Sequence, residues 1–290
     1  MGTELAGPQP IAVRDGLATM GPEAVTLWAD LEKCYLDWAD RCGAAEYRFP
    51  AALPVADLGR LDYFRNFPHL AVLASGISAG RADAYASSAE SPDSVPGADL
   101  EPAALVLPPA ACYGVYLHVR GTRLAAPWRV TTVATCARRE AQFDGLRRLL
   151  SFTLREIVCV GGRDEVLQHL EESKRLLTGF LRALGLPVRM VTASDPFFDQ
   201  STSRALVGRL FPVKEEIVYG KDLAIASANF HRNFFGERCD ITTADGSTAF
   251  SGCVGFGIER WISALREQFG GDVSEIVTRV RRARRESTDA

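Results

Sequence analysis

No stretch of the 290 residues approaches the roughly 20 consecutive apolar residues that a bilayer-spanning helix needs, so a membrane span has no candidate. Basic charge is scarce too. The 33 Lys and Arg stand against 36 Asp and Glu, a net charge of -3, whereas binding nucleic acid by bulk electrostatics requires concentrated cations. Only "RVRRARRE", from Arg279, is strongly basic, and it reads as a solvated helix end. Spacing announces no metal site, because the chain has no CxxC and its four histidines form no pair. A nucleophile motif is also missing. There is no Gly-x-Ser-x-Gly, and "CVGG" followed by "RDE" at Cys159 lacks the Lys-Ser/Thr of a phosphate loop. His231, in "NFHRNFFG", therefore reads as structural rather than as part of a triad. The N-terminus lacks the charged-then-apolar order of an export leader. The seven cysteines are odd in number and scattered, unlike a secreted disulfide framework. A cytoplasmic location is expected.

What is present is the composition of an ordinary globular protein, 47% hydrophobic and 24% charged. Val25, Trp28, Leu31, Tyr35 and Trp38 recur at helical spacing within 21–48, with Gly43 as a stop. From Gly80 to Glu101 the composition turns to Ala, Ser, Asp, Gly and Pro, an exposed connection. "ALVLPPAACYGVYLHV", "WRVTTVATCA" and "LLSFTLREIVCVG" then read as successive strands. "DEVLQHLEESKRLLTGFLRALGLP" reads as a helix capped by Asp164 and ended by Gly185 and Pro187, with Val166, Leu170, Leu177, Phe180 and Leu184 on one face. Four more strand-like segments, "VRMVTAS", "EEIVYG", "LAIASANF" and "TAFSGCVGFG", precede a final helix from Ile258. Strands gathered around one long helix predict an α+β fold with a mostly antiparallel sheet. Residues 1–104 form a helical region and connection packed on a core made by 105–290.

Two stretches could carry chemistry. In "CVGFGIERWISAL", Gly255 and Gly257 would let a ligand approach the backbone, and Arg260 lies in the first turn of a helix, where an anion is favoured. In "ATCARREAQFDGLRRLLSFTLREIV", Arg138 and Glu140 close one strand and, two apart, point the same way. The arginine suits an α-phosphate and the carboxylate suits an amino group. Each stretch alone reads equally well as packing or as a surface ion pair.

Together they resemble motifs 2 and 3 of the class II aminoacyl-tRNA synthetases, in the right order. More closely, "DYFRNFPHL", "LPPAACY", "ASDPFF", "SANFHRNFFG" and "GCVGFGIER", from roughly 60 to 270, resemble the amino acid:[carrier protein] ligases, truncated relatives of the atypical archaeal-type seryl-tRNA synthetases. The resemblance implies a class II catalytic domain and a zinc ion held by Cys112, Glu156 and Cys253. Its open fourth position would take the substrate amine. It further implies ATP, with Mg²⁺, on Arg138, Glu140 and Arg260, and a small amino acid near Lys214, Glu216, Ser227 and Asn229. The remaining Cys136, Cys159 and Cys239 read as core residues.

The implied reaction is adenylation of the amino acid and transfer to the phosphopantetheine thiol of a carrier protein. Transfer to a small-molecule amine or to tRNA, or a non-catalytic paralogue, are the alternatives. The absence of a basic stripe, and the short stretch after Arg260, argue for the carrier over tRNA. A homodimer is implied, with "LDYFRNFPHL" and Pro108–Pro109 at its interface. This sequence departs from the relatives in two places. They usually carry a methionine before the Arg-Glu of the second motif 2 strand and an aromatic after it. Here stand Leu154 and Ile157, so an aliphatic side chain would have to cover the adenine. The segment "DQSTSRALVGRLFPV" is short, which predicts a pocket for an amino acid other than the usual glycine or alanine.

Overall fold

The structure, a computed structural model, describes residues 11–199, 213–270 and 272–288. Most of "DQSTSRALVGRLFPV" lies outside the described residues. In chain order the strands are β1 (Ile11–Arg14), β2 (Leu17–Met20), β3 (Ala45–Glu46), β4 (Leu53–Pro54), β5 (Leu73–Ala74) and β6 (Leu105–Val106). Then follow β7 (Trp128–Ala137), β8 (Ser151–Gly161), β9 (Val188–Ala193), β10 (Lys214–Tyr219), β11 (Leu223–Arg232) and β12 (Phe250–Gly257). The helices are α1 (Pro22–Arg41), α2 (Val55–Arg60), α3 (Tyr63–Asn66), α4 (Ala79–Ser87), α5 (Tyr113–His118), α6 (Arg163–Leu184), α7 (Phe234–Cys239), α8 (Ile258–Phe269) and α9 (Val273–Thr288).

One sheet organises the molecule, in the order β3-β7-β8-β12-β11-β10-β9. Only the β3–β7 pair is parallel; every other neighbour is antiparallel, the α+β arrangement expected. Helices α1, α6, α8 and α9 close one face. Tyr35 of α1 stacks on Phe256 of β12 with centroids 4.6 Å apart, and Trp38, Phe180 and Trp261 pack edge-on around them. Arg155 of β8 is fully buried on this face. Its guanidinium donates to Glu32 of α1 at 2.6 and 2.8 Å and to Glu46 of β3 at 3.0 Å. A buried guanidinium is tolerable only with such partners. The basic run ends in α9, where Arg281 and Arg284 pair with Asp30 and Asp37 of α1.

Local chemistry sets the boundaries. Helix α6 buries its predicted stripe and stops at Gly185, whose φ of 72° few side-chain-bearing residues would adopt. Asp164 is not the cap. The N-cap is Gly162, and Glu165, one turn in, accepts its backbone N–H at 2.8 Å, so a carboxylate inside the helix does the capping. The connection from Gly80 to Glu101 is exposed, yet it includes most of α4, which buries no side chain. The segment read as "ALVLPPAACYGVYLHV" is strand only through β6. After Pro108–Pro109, Cys112, Val115, Tyr116 and Val119 are buried at helical spacing along α5 and its ends. Cys136, Cys159 and Cys239 are buried in the core, and burial pushes the Cys159 and Cys239 thiols up to about 11. Among the described residues no helix is long and apolar enough to cross a membrane.

Candidate active site

The face of the sheet away from α1 and α6 carries a different set of residues. Directly opposed residues of antiparallel strands share a face, and two such rows cross the sheet side by side. Thr132, Glu156, Gly255, Ser227 and Glu216 form one row, on β7, β8, β12, β11 and β10. Val130, Val158, Cys253, Asn229 and Lys214 form the next. Of these, Glu156, Gly255, Ser227, Glu216, Cys253, Asn229 and Lys214 border a cavity of about 490 Å³, whose lining also includes Cys112, Arg138, Glu140 and Arg260. Every catalytic, ATP, amino-acid and metal candidate named from the sequence, Ile157 aside, thus borders one space.

Cys112, Glu156 and Cys253 offer ligand atoms that all lie within 4.8 Å of one another, and all three residues are buried. The loop after Pro109 is tied to the sheet at this point, with Ala111 N–H donating to Glu156 Oε1 at 3.0 Å. The other oxygen, Glu156 Oε2, is buried and takes no hydrogen bond. Three acidic groups therefore converge where little water can solvate them. The Cys253 thiol is pushed well up by its hydrogen bond with Cys112, by burial and by the Glu156 charge. A divalent cation would satisfy the orphaned oxygen and hold both sulfurs as thiolates, so the donor set fits a metal. Arg155, next in sequence to Glu156, faces the opposite side of the sheet and makes no pair with it.

Arg138 and Glu140 stand beyond the end of β7 at Ala137 rather than within the strand. Arg138 Nε donates to Pro109 O at 2.8 Å, and Glu140 pairs with Arg148 at 3.4 Å. Arg260 donates from Nε to Arg147 O at 2.9 Å and from Nη1 to Ala224 O at 3.2 Å. Its pKa is lowered by burial and then by the positive charge of Arg138. Two guanidiniums brought together in this way are relieved by an anion between them. Behind Arg260, both Glu259 oxygens accept from Thr153 N–H at 2.9 Å. Lys214 pairs with Glu216 at 3.0 Å and with Asp195 at 3.3 Å. Asn229 Nδ2 donates to Ser227 Oγ at 3.1 Å and to Cys253 Sγ at 3.5 Å.

Gly255 and Gly257 have no internal reason to be glycine. A Cβ at Gly255 would meet nothing closer than Glu156 Cγ at 3.5 Å, and one at Gly257 nothing closer than Arg260 Cδ at 3.6 Å. Both have extended backbones, at φ values open to any residue. Both border the open space of the cavity.

Two cavity residues escape the sequence reading. Ile157, expected near adenine, points into the helix-covered core. Leu154 lines the cavity, and Phe152, two residues earlier on the same face, lines it beside Leu154 with the Arg138 guanidinium 5.1 Å from its ring centre. Period-two spacing back from Glu156 is the signal that marks Phe152. His231 also lines the cavity, its Nε2 3.7 Å from Cys253 Sγ.

Known proteins share this frame. The family model described as tRNA synthetase class II core domain (G, H, P, S and T) matches residues 99–269. Two relatives from Bradyrhizobium diazoefficiens, amino acid–[acyl-carrier-protein] ligases 1 and 2, are each 34% identical. Their alignments cover 82% and 78% of this chain, and 76% and 70% of the respective relatives. The M. kandleri SerRS, solved in complex with A. aeolicus tRNASec, superposes with a TM-score of 0.77 at 18% identity. That superposition covers 95% of this chain and 62% of the synthetase, and at such identity it speaks for the fold alone. With the class II core model matching more than half of this chain and both ligases aligned over more than two thirds of their own length, the chain belongs to the class II synthetase-like amino acid–[acyl-carrier-protein] ligases.

Proposed function

We propose that this protein activates a small amino acid with ATP and passes it to the phosphopantetheine thiol of a carrier protein. The observation that carries this reading is the meeting, in one cavity, of the Arg138–Arg260 pair with the Cys112–Glu156–Cys253 cluster. In the first step a carboxylate oxygen of the amino acid attacks the α-phosphorus of ATP. The new P–O bond forms as the bond to pyrophosphate breaks. Arg138 and Arg260 bind the phosphates and, with Mg²⁺, spread the charge that builds there. Phe152 supports the adenine ring, and Glu140 accepts from its amino group. In the second step the carrier thiol gives up its proton, its sulfur bonds to the acyl carbon, and AMP leaves with the shared oxygen.

Cys112, Glu156 and Cys253 would hold zinc, which supplies a Lewis-acid position for the substrate amine. The protein around it fixes the orientation. Ser227 and Glu216, in the same row as Glu156, stand near the amino acid, and Lys214 and Asn229 flank them in the next. A buried amine site rejects acids that lack the amine, because they leave its partner unmatched. The carrier thiol is favoured over tRNA by the weakly acidic chain, net -3, and by the names of the Bradyrhizobium relatives. We expect a cytoplasmic homodimer.

Pyrophosphate exchange into ATP across a panel of small amino acids, with metal analysis of the same sample, tests this reading. The expected result is amino acid-dependent exchange and one zinc per chain. Cys112→Ser should lose the zinc and raise the amino-acid KM more than the ATP KM. A fully active metal-free protein would remove the zinc assignment. Aminoacylation of tRNA or of a free amine, with no thioester on a carrier, would redirect the second step.

A further inference from the structure

His231 reaches the cavity by an irregularity in β11. The ladder between β11 and β12 pairs Phe230 with Gly252 and then Arg232 with Ser251, so His231 is the extra residue of a β-bulge. Arg232, next to it, has φ 57°, an unusual conformation for a residue with a side chain. Bulges of this kind re-aim a side chain. Here the aim is specific. His231 Nδ1 lies 3.2 Å from the Tyr116 hydroxyl and 3.3 Å from Ser251 Oγ, while Nε2 lies 3.7 Å from Cys253 Sγ.

Among the described residues, the protonation pattern follows from what each of these neighbours can do. A metal-bound thiolate has no proton and only accepts, so Nε2 must carry the hydrogen that faces it. Nδ1 then accepts from one of two hydroxyls, both able to donate. Asn229 Nδ2 supplies a second N–H to the same sulfur at 3.5 Å. His231 lies outside the compact set of ligand atoms, which comprises Cys112, Glu156 and Cys253 only, so it acts through Cys253 rather than as a fourth ligand.

We propose that His231 is a positioning residue that donates Nε2–H to the Cys253 thiolate, fixing the sulfur and drawing charge from it so that the metal stays a strong acceptor for the amine. Hydrogen bonds to ligand sulfurs and groups behind the ligands tune metal sites in this way. The inference rests on the zinc reading above. It gives the Cys253 sulfur two N–H donors, from His231 and Asn229.

The test uses the full chain loaded with cobalt(II), whose thiolate charge-transfer absorption reports sulfur donation. His231→Ala should move that band to longer wavelength and raise the amino-acid KM roughly tenfold, with the ATP KM unchanged. His231→Gln, whose amide N–H can end near the Nε2 position, should restore most of both. His231→Asn, ending near Nδ1, should behave like the alanine variant; the Gln–Asn pair carries the comparison if alanine fails to fold. An unmoved band in His231→Ala, or Gln and Asn variants that behave alike, would overturn the inference. A wild-type protein with no cobalt–thiolate band would instead overturn the zinc reading.

Discussion

Strand β12 has glycines on both faces of the sheet, and they are glycines for opposite reasons. At Gly252, facing α6, an added Cβ would lie 2.9 Å from Val166 Cγ1 and 3.0 Å from both Leu170 Cδ1 and Asn229 O. At Gly255, on the cavity side, the nearest atom would be at an ordinary 3.5 Å. One glycine is demanded by the protein's own helix, while the other borders open cavity. The contrast extends to the faces as a whole. The α6 side is filled by Tyr35, Phe180, Phe256 and Trp261; the cavity side keeps open space lined with charges. Identical residue types three positions apart therefore serve close packing on one face and border open space on the other.

The largest effect that would sharpen this division is on the cavity side. Arg260→Ala should reduce pyrophosphate exchange by about 10²–10³-fold, the loss typical of one preorganised electrostatic contact, while the melting temperature stays near wild type. Near-normal exchange would detach Arg260 from the phosphates. On the α6 face, burial pushes the pKa of His169 from 6.5 down to about 4. Between these values the unfolded chain takes up a proton that the folded chain refuses. Stability is therefore complete above about pH 6.5 and falls as pH drops towards about 4, by up to roughly 3 kcal/mol. Urea unfolding of wild type and His169→Leu at pH 7 and pH 5 should show the wild type losing more; parallel losses would refute the assignment.

Next come the glycines themselves. Gly252→Ala should destabilise by about 1–3 kcal/mol, as overpacking does, whereas Gly255→Ala should leave the melting temperature almost unchanged and raise a substrate KM. If both variants melt early, the cavity-side glycine is structural and the contrast collapses. The smallest effect is expected at Phe152. Replacing it by Leu should raise the ATP KM by about fivefold, in line with about 1 kcal/mol for an aromatic contact, without altering the amino-acid KM.

The long elements were legible because their periodicity is unambiguous: α1, α6 and β7 to β12 stand where apolar spacing put them. The segment after Pro108 was misread because its apolar residues are nearly continuous, and such a run does not separate strand from helix. The three- and four-residue spacing of Cys112, Val115, Tyr116 and Val119 was the usable clue. The Cys112–Glu156–Cys253 cluster could not have come from spacing, since a loop and two non-consecutive strands bring it together; only the family resemblance drew those residues out. Phe152 lies one step further back along the face that carries Leu154 and Glu156, and the family pattern that points to Leu154 and Ile157 does not reach it. His231 depends on a bulge, and no residue pattern in "SANFHRNFFG" announces the extra position.

Arg155 and Glu156 sit side by side on β8, one pinned by Glu32 and Glu46 and the other beneath the cavity. A side-chain period of two means that a one-residue slip of this strand would turn Arg155 to the cavity side and Glu156 to the helix side. A slip in one sense would put Glu156 where Arg155 stands, against Glu32 and Glu46, three carboxylates together; a slip in the other would put the Arg155 guanidinium where Glu156 stands, beside the two cysteines. Both errors are electrostatic, and either sense of slip makes one of them. The α1-side ion cluster thus favours the one register that also sets the Glu156 carboxylate beside the two sulfurs.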